Sequence, residues 1–307
     1  MKTAFLFPGQ GSQFTGMGKD FYDKFKEAKE VYDLANKVTE IPVKELCFDG
    51  NEDELKETKN AQLAIATTSL AILAVIDKLN IKAEFAAGLS LGEYVALVYG
   101  GFLNLEDCFK LLKQRSYYMQ NLVPNKEYAM SAVIGLDSSK IEEICTKHEV
   151  NGEFVVPANY NYSMQTVISG EAKAIESVSQ ELKDAGAKRV IPLKTSGPFH
   201  TKALEEASKE FYKDLQKVEF KTGNGVNVIK NLDGSIYKAG DNFAEILSKH
   251  IISPVRFDKA LKIFKNENVD TFIEIGPGKS MTGFINKEKL EGLALNVQKV
   301  DDLEKLK

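Results

Sequence analysis

The sequence predicts an α/β fold in which a large lobe is interrupted by a smaller inserted one. Three observations predict it. Short apolar strands run into glycine-bearing turns and then helices near both ends of the chain and near residue 88. Residues 126–195 change texture, taking the β-α-β-β-α-β order of a ferredoxin-like unit. Between a strand and a helix stands Gly88-x-Ser90-x-Gly92, the spacing of a nucleophile elbow. The chain therefore divides into 1–125, 126–195 and 196–307, with the first and last parts forming the large lobe.

Ala4 to Phe7 reads as a buried strand, broken by Pro8-Gly9 into Gln10-Gly11-Ser12-Gln13. Spacing excludes a dinucleotide fingerprint there, because Phe14 stands where glycine is needed, and no Gly-Lys-Ser/Thr follows for a phosphate loop. What is left is a tight loop offering backbone N–H groups at a strand's C-terminal end, where α/β sheets place their sites. Asp20 to Thr39 is expected as one amphipathic helix with Phe21, Phe25, Val31, Leu34 and Val38 on its core face. Ala61 to Leu79 is a helix apolar on most sides and so belongs in the interior. Gln62 at its start is either a satisfied structural amide or one that faces a site.

The elbow follows a short apolar lead-in, Ala83 to Ala87, and opens a helix from Glu93 to Tyr99. A serine at such a turn needs small neighbours, which glycine supplies two residues to either side. The N–H of Leu91, next in the chain, can then point at a developing oxyanion. Leu105 to Leu122 is helical, with Asn104 as N-cap and Leu105, Phe109, Leu112 and Met119 on its apolar face. Arg115 falls near that face. A buried cation is almost never left unpaired, so Arg115 either meets a carboxylate of the protein or receives one from a ligand. Position alone favours the structural ion pair.

In the inserted lobe, strands are expected at Tyr128–Ile134, Phe154–Pro157, Thr166–Ser169 and Arg189–Leu193, with helices at Ser138–His148 and Ala172–Ala185. Asn159-Tyr160-Asn161-Tyr162 reads as a turn whose amides either face a substrate or form Asx turns. Three histidines remain to be placed. His148 ends a polar helix and is expected in solvent; His250 closes another helix before Pro254. His200 follows Gly197-Pro198-Phe199 at the start of a helix expected over Lys202–Lys217, a fixed position suited to a base. Phe257–Phe264 adds a helix, Thr271–Ile275 a strand, and Gly276-Pro277-Gly278-Lys279 a turn into the last helix.

Composition narrows the function classes. The net charge of −4 leaves no basic excess for phosphate neutralisation, so no nucleic-acid partner is expected. Cys47, Cys108 and Cys145 are odd in number and unpatterned, which points to a reducing compartment and to neither a disulfide framework nor a zinc site. No signal peptide and no apolar run approaching about 18 residues is read, so no membrane is expected and the location is taken as cytoplasmic.

Taken together, a series of motifs in chain order resembles the malonyl-CoA:acyl carrier protein transacylase family of type II fatty-acid synthesis. They run from Phe7-Pro8-Gly9-Gln10-Gly11-Ser12-Gln13 through Gly88-Leu89-Ser90-Leu91-Gly92-Glu93-Tyr94 to Gln114-Arg115 with Met119-Gln120. Asn159-Tyr160-Asn161, Ser196-Gly197-Pro198-Phe199-His200 and Pro254-Val255-Arg256 follow, before the Ile275-Gly276-Pro277-Gly278-Lys279 end. The resemblance implies an α/β-hydrolase-like large lobe, a ferredoxin-like small lobe and a site in the cleft between them. It implies Ser90 as nucleophile, His200 as base, and the N–H groups of Gln10 and Leu91 as oxyanion hole. Arg115 would hold the malonyl carboxylate, overturning its positional reading, and Phe199 would exclude an α-methyl branch. Gln62 and Asn161 would line the substrate site, and the backbone carbonyl of His250 would orient His200. Malonyl-CoA and acyl carrier protein are the implied partners, with no metal or organic cofactor, and a monomer is expected. The alternatives are a serine hydrolase or thioesterase using the same elbow, or an acyltransferase of a polyketide pathway. This chain departs from the family pattern at Leu89, where His is usual, at His250, where Gln is usual, and at Tyr162-Ser163-Met164-Gln165.

Overall fold

In the computed structural model, residues 2–195 and 197–307 are described, and their strands form two five-stranded sheets. The strands are β1 (Thr3–Phe7), β2 (Phe85–Gly88), β3 (Tyr128–Ile134), β4 (Val155–Tyr162), β5 (Gln165–Glu171), β6 (Arg189–Pro192), β7 (Asn227–Ile229), β8 (Val255–Arg256), β9 (Thr271–Ile275) and β10 (Leu293–Val297). The first sheet has the order β10-β9-β1-β2-β7, and every neighbouring pair is parallel. Parallel strands need crossover connections, which cover both faces, so β1 and β2 are apolar and buried along nearly their whole length. Their register runs from Ala4↔Phe85 to Phe7↔Gly88. The two turns that matter most, at Gly9-Gln10 and at Ser90, thus emerge side by side at one sheet end.

Helix Thr58–Lys78 lies under these turns. It is long and apolar enough to cross a membrane, which the sequence reading overlooked, but 89 % of its apolar window is buried inside the fold. Its composition is that of a helix enclosed on most sides.

The second sheet has the order β6-β3-β5-β4-β8. Its pairs are antiparallel except β4 with β8. Helices Ser138–Val150 and Ala172–Asp184 follow β3 and β5, giving the expected β-α-β-β-α-β order. Strand β8 comes from the last third of the chain and adds to this sheet's edge.

Several expectations are corrected. The helix expected over Asp20–Thr39 is two helices, Lys19–Lys24 and Lys26–Thr39, broken where Phe25 turns extended and keeps its ring 5.9 Å from that of Phe21. The start of Lys202–Lys217 is a 3-10 turn, with the α-helix over Glu205–Leu215. Asn159–Tyr162 is not a turn. It is the bulged end of β4, held open by β5 on one side and by Asn159↔Val255 and Tyr160↔Arg256 on the other. The Arg256 guanidinium stacks 4.4 Å from the Tyr160 ring centroid, a long-range contact that local turn propensity does not encode. His148 is buried, not solvated, with its ring nitrogens on Glu153 and Glu181.

Candidate active site

The elbow closes through glycine. A Cβ on Gly88 would stand 1.9 Å from the Gly92 carbonyl carbon, and one on Gly92 would stand 2.2 Å from Phe7 O. Ser90 itself is left-handed at φ 56°, lifting its side chain off the strand axis. Asn231, just beyond β7, stitches the turn: its Oδ1 accepts Ser90 N–H at 2.7 Å and its Nδ2 donates to Gly88 O at 2.7 Å. A Cβ on Gly9 would meet Leu89 O at 2.6 Å, so the loop carrying Gln10 packs directly on the elbow. Among the described residues, the N–H groups of Gln10 and Leu91 have no hydrogen-bond partner. Two backbone donors are thereby left unused beside Ser90. The Gln10 side chain turns elsewhere, donating to Thr58 Oγ1 at 3.2 Å.

His200 stands opposite, 3 % exposed, with Nε2 2.9 Å from Ser90 Oγ. Its Nδ1 is 3.0 Å from the carbonyl of His250. A carbonyl only accepts, so Nδ1 carries the proton and the Nε2 lone pair faces the serine hydroxyl. Burial, then the neighbouring His250 and Arg115, hold the His200 pKa well below the ordinary imidazole range. The ring is neutral at neutral pH, as a proton acceptor must be. His200 is also left-handed, at φ 59°. Phe199 before it is buried, and a Cβ on Gly197 would overlap its ring at 2.3 Å. Ser196 of the same motif lies outside the described residues.

Arg115 completes the cluster. Its guanidinium donates to Ser90 Oγ at 2.9 Å and to Gln62 Oε1 at 2.5 Å, and its Cζ sits 5.5 Å from the Tyr94 ring centroid. It is 1 % exposed. Among the described residues no carboxylate lies within ion-pair distance of it, so the structural ion pair that position favoured does not form; amide and aromatic neighbours take its place. Burial lowers its pKa from the usual arginine value. Gln62 both packs, donating to Met119 Sδ at 3.6 Å, and holds the guanidinium. Asn161 is buried on β4 with its Oδ1 unpartnered among the described residues, and it makes no hydrogen bond to Ser90, His200 or Arg115.

Sequence reasoning missed Asn231, Glu93 and Tyr237. Glu93 is fully buried and its Oε1 accepts from Asn231 N and from the Tyr237 hydroxyl, each at 2.9 Å. A signal for Glu93 was present: it is the one charged residue in the apolar helix Gly92–Tyr99. For Asn231 there was none, because three-residue β7 is too short to show periodicity.

Residues 4–298 match the acyl transferase domain family, and the protein is an acyltransferase. It is similar to the malonyl CoA-acyl carrier protein transacylase of Bacillus subtilis, with 41 % identity over 286 residues spanning 93 % of this chain and 90 % of that protein. The chain belongs to the malonyl CoA-acyl carrier protein transacylase family. The crystal structure of such a transacylase from Clostridium perfringens superposes with a TM-score of 0.94 at 40 % identity, covering 100 % of this chain and 96 % of that one. A malonyl-transacylase in complex with its type II PKS acyl-carrier protein matches at TM-score 0.94 and 32 % identity, over 99 % and 98 % of the two chains.

Proposed function

We propose that this enzyme moves a malonyl group from malonyl-CoA to the pantetheine thiol of acyl carrier protein through an acyl-Ser90 intermediate. The observation that carries the reading is Arg115: a buried guanidinium with no carboxylate partner among the described residues, hydrogen-bonded to the hydroxyl that would attack. A malonyl group brings the missing carboxylate, and a planar guanidinium can hold it bidentately. A plain serine hydrolase leaves this arrangement without a purpose.

In the first half-reaction His200 Nε2 takes the Ser90 proton as Oγ attacks the thioester carbon. The N–H groups of Gln10 and Leu91 receive the oxyanion. The C–S bond breaks, and coenzyme A leaves with the proton from His200. In the second, His200 takes the proton of the pantetheine thiol, the thiolate attacks the acyl-serine, and Ser90 leaves reprotonated. The His250 carbonyl keeps His200 in one tautomer throughout.

The architecture is read as an α/β-hydrolase-like lobe in segments 1–125 and 196–307 and a ferredoxin-like lobe at 126–195, the cleft between them admitting both substrates. The three buried free thiols fit a reducing, cytoplasmic setting, and we read the enzyme as a monomer serving fatty-acid or polyketide chain extension. Mass spectrometry after mixing with labelled malonyl-CoA tests the proposal. One adduct, on Ser90, that disappears when carrier protein is added is expected. An adduct elsewhere, or free malonate as the main product in the presence of carrier protein, overturns it.

A further inference from the structure

Behind the Ser90–His200 pair lies a buried carboxylate to which nothing above gives a task. Glu93 is 0 % exposed, and its first oxygen is fully engaged by Asn231 N–H and the Tyr237 hydroxyl. Its second oxygen has no hydrogen-bond partner among the described residues, but lies 3.2 Å from Nδ1 of His250. The His250 ring, itself 1 % exposed, stacks on the His200 ring with centroids 4.7 Å apart and planes at 27°. His250 Nε2 finds no partner among the described residues, leaving Glu93 as the polar group on which the ring can be fixed.

Two lines therefore run out of one side chain. One goes through Asn231 to Ser90 N–H and Gly88 O, which set the shape of the elbow. The other goes through the His250 ring to the face of His200, while the His250 carbonyl grips the edge of His200 at Nδ1. A buried carboxylate is retained only when its surroundings compensate it, and here two of its three neighbours, Asn231 and His250, each touch one half of the reacting pair, while the third, Tyr237, holds the carboxylate in place.

We propose that Glu93 is a positioning residue of the acyl-transfer centre, setting Ser90 through Asn231 and His200 through the His250 side chain. The family's backbone-carbonyl role for residue 250 is then only half of what His250 does in this chain. Glutamate suits the task better than glutamine, because both oxygens accept and all the groups around them can donate. The inference rests on the acyl-serine reading above.

Its test begins with Glu93→Gln, which keeps size and one acceptor but puts an amide donor where an acceptor is needed. We expect the acylation rate at saturating malonyl-CoA to fall about 10- to 100-fold, with KM changed less than threefold and Glu93→Asp recovering part of the loss. A purely structural role would lower the yield of folded enzyme and leave kcat per folded active site untouched, which overturns the proposal. Should Glu93→Gln not fold, the pair His250→Gln and His250→Leu carries the test. Both keep the carbonyl to His200 and are similar in size, but only glutamine can donate to Glu93. We expect the glutamine variant to acylate at least fivefold faster than the leucine one; equal rates overturn the proposal. Failure of the underlying reading is separate: it shows as no Ser90 adduct in the unaltered enzyme.

Discussion

His200 and His148 are both buried histidines, one beside the end of the parallel sheet and one on the helix Ser138–Val150 that follows β3, and their surroundings push them in opposite directions. His200 has a hydroxyl on one nitrogen and a carbonyl on the other but no carboxylate, so burial, with His250 and the Arg115 guanidinium beside it, disfavours its charged form. His148 has Glu153 on Nδ1 and Glu181 on Nε2 at 2.8 Å, with Lys147 sharing Glu181. Burial pulls its pKa down, but the two carboxylates outweigh that and raise it above the ordinary value. Burial alone therefore says nothing about whether a histidine works or merely holds. The partners decide: neutral acceptors leave a base free to take a proton, and carboxylates hold a cation that ties two helices together.

The comparison breaks most visibly at Ser90 and His200, the pair proposed to react. Ser90→Ala, and separately His200→Ala, should each lower transfer on the order of 10⁴-fold or more while the fold stays intact. A stopped-flow acylation assay reads this, and a loss under 10²-fold would mean that the polar cluster around Ser90 is a packing feature like that around His148.

Next in size is Arg115→Ala, which should cost about 2–5 kcal/mol of malonyl binding by stranding its carboxylate. It also removes a buried unpaired cation that penalises an acetyl group, so acetyl transfer should rise relative to malonyl. Competition between the two acyl-CoA substrates gives the ratio. If malonyl preference survives, the guanidinium is structural after all.

A smaller effect is expected at the exposed edge strand β6, where Lys188, Arg189 and Lys194 surround exposed Ile191 and Leu193. Acyl carrier proteins are acidic, and this chain carries net charge −4, so docking needs a local basic patch. Reversing the charge of Lys188 and Arg189 should lower kcat/KM for carrier protein about 3- to 10-fold and spare acylation by malonyl-CoA. Equal losses in both half-reactions would contradict this placement.

The smallest prediction sharpens the contrast through pH. The raised pKa of His148 means that its contribution to stability is complete below the unfolded value near about 6.5 and is lost as pH rises through the folded value. For His200, with its lowered pKa, the sign reverses: stability is lost as pH falls below about 6.5, because the unfolded chain takes up the proton first. Urea unfolding at pH 5.5 and 8 should therefore show His148→Gln destabilised chiefly at the lower pH. The same shift at both values would show that no charged pair exists there.

Part of this was legible in the residues. The elbow showed because glycine spacing is a local signal; Arg115 stood out as a charge on an apolar helix face, but its position favoured an ion pair that does not form, and only the family resemblance aimed it at a ligand. Strands β3 and β9 are as read, since their β-branched and apolar runs are bounded by clear turns. What escaped depends on contacts between distant segments. β8 is two residues long and exists only because β4 offers it an edge. The partners of His148 are 5 and 33 residues away, and nothing in a polar helix end announces them. Asn231 lies 141 residues from the serine whose backbone it fixes.

Among the described residues six other than glycine adopt positive φ, and four of them, Glu40, Asn80, Asn268 and Lys289, sit at helix C-terminal ends where that conformation is a common stop. The remaining two are Ser90 and His200. A left-handed backbone costs a residue with a Cβ roughly 1–2 kcal/mol, which glycine would relieve. At both positions, then, glycine would shed that backbone cost, but only by giving up one of the two side chains that meet across 2.9 Å.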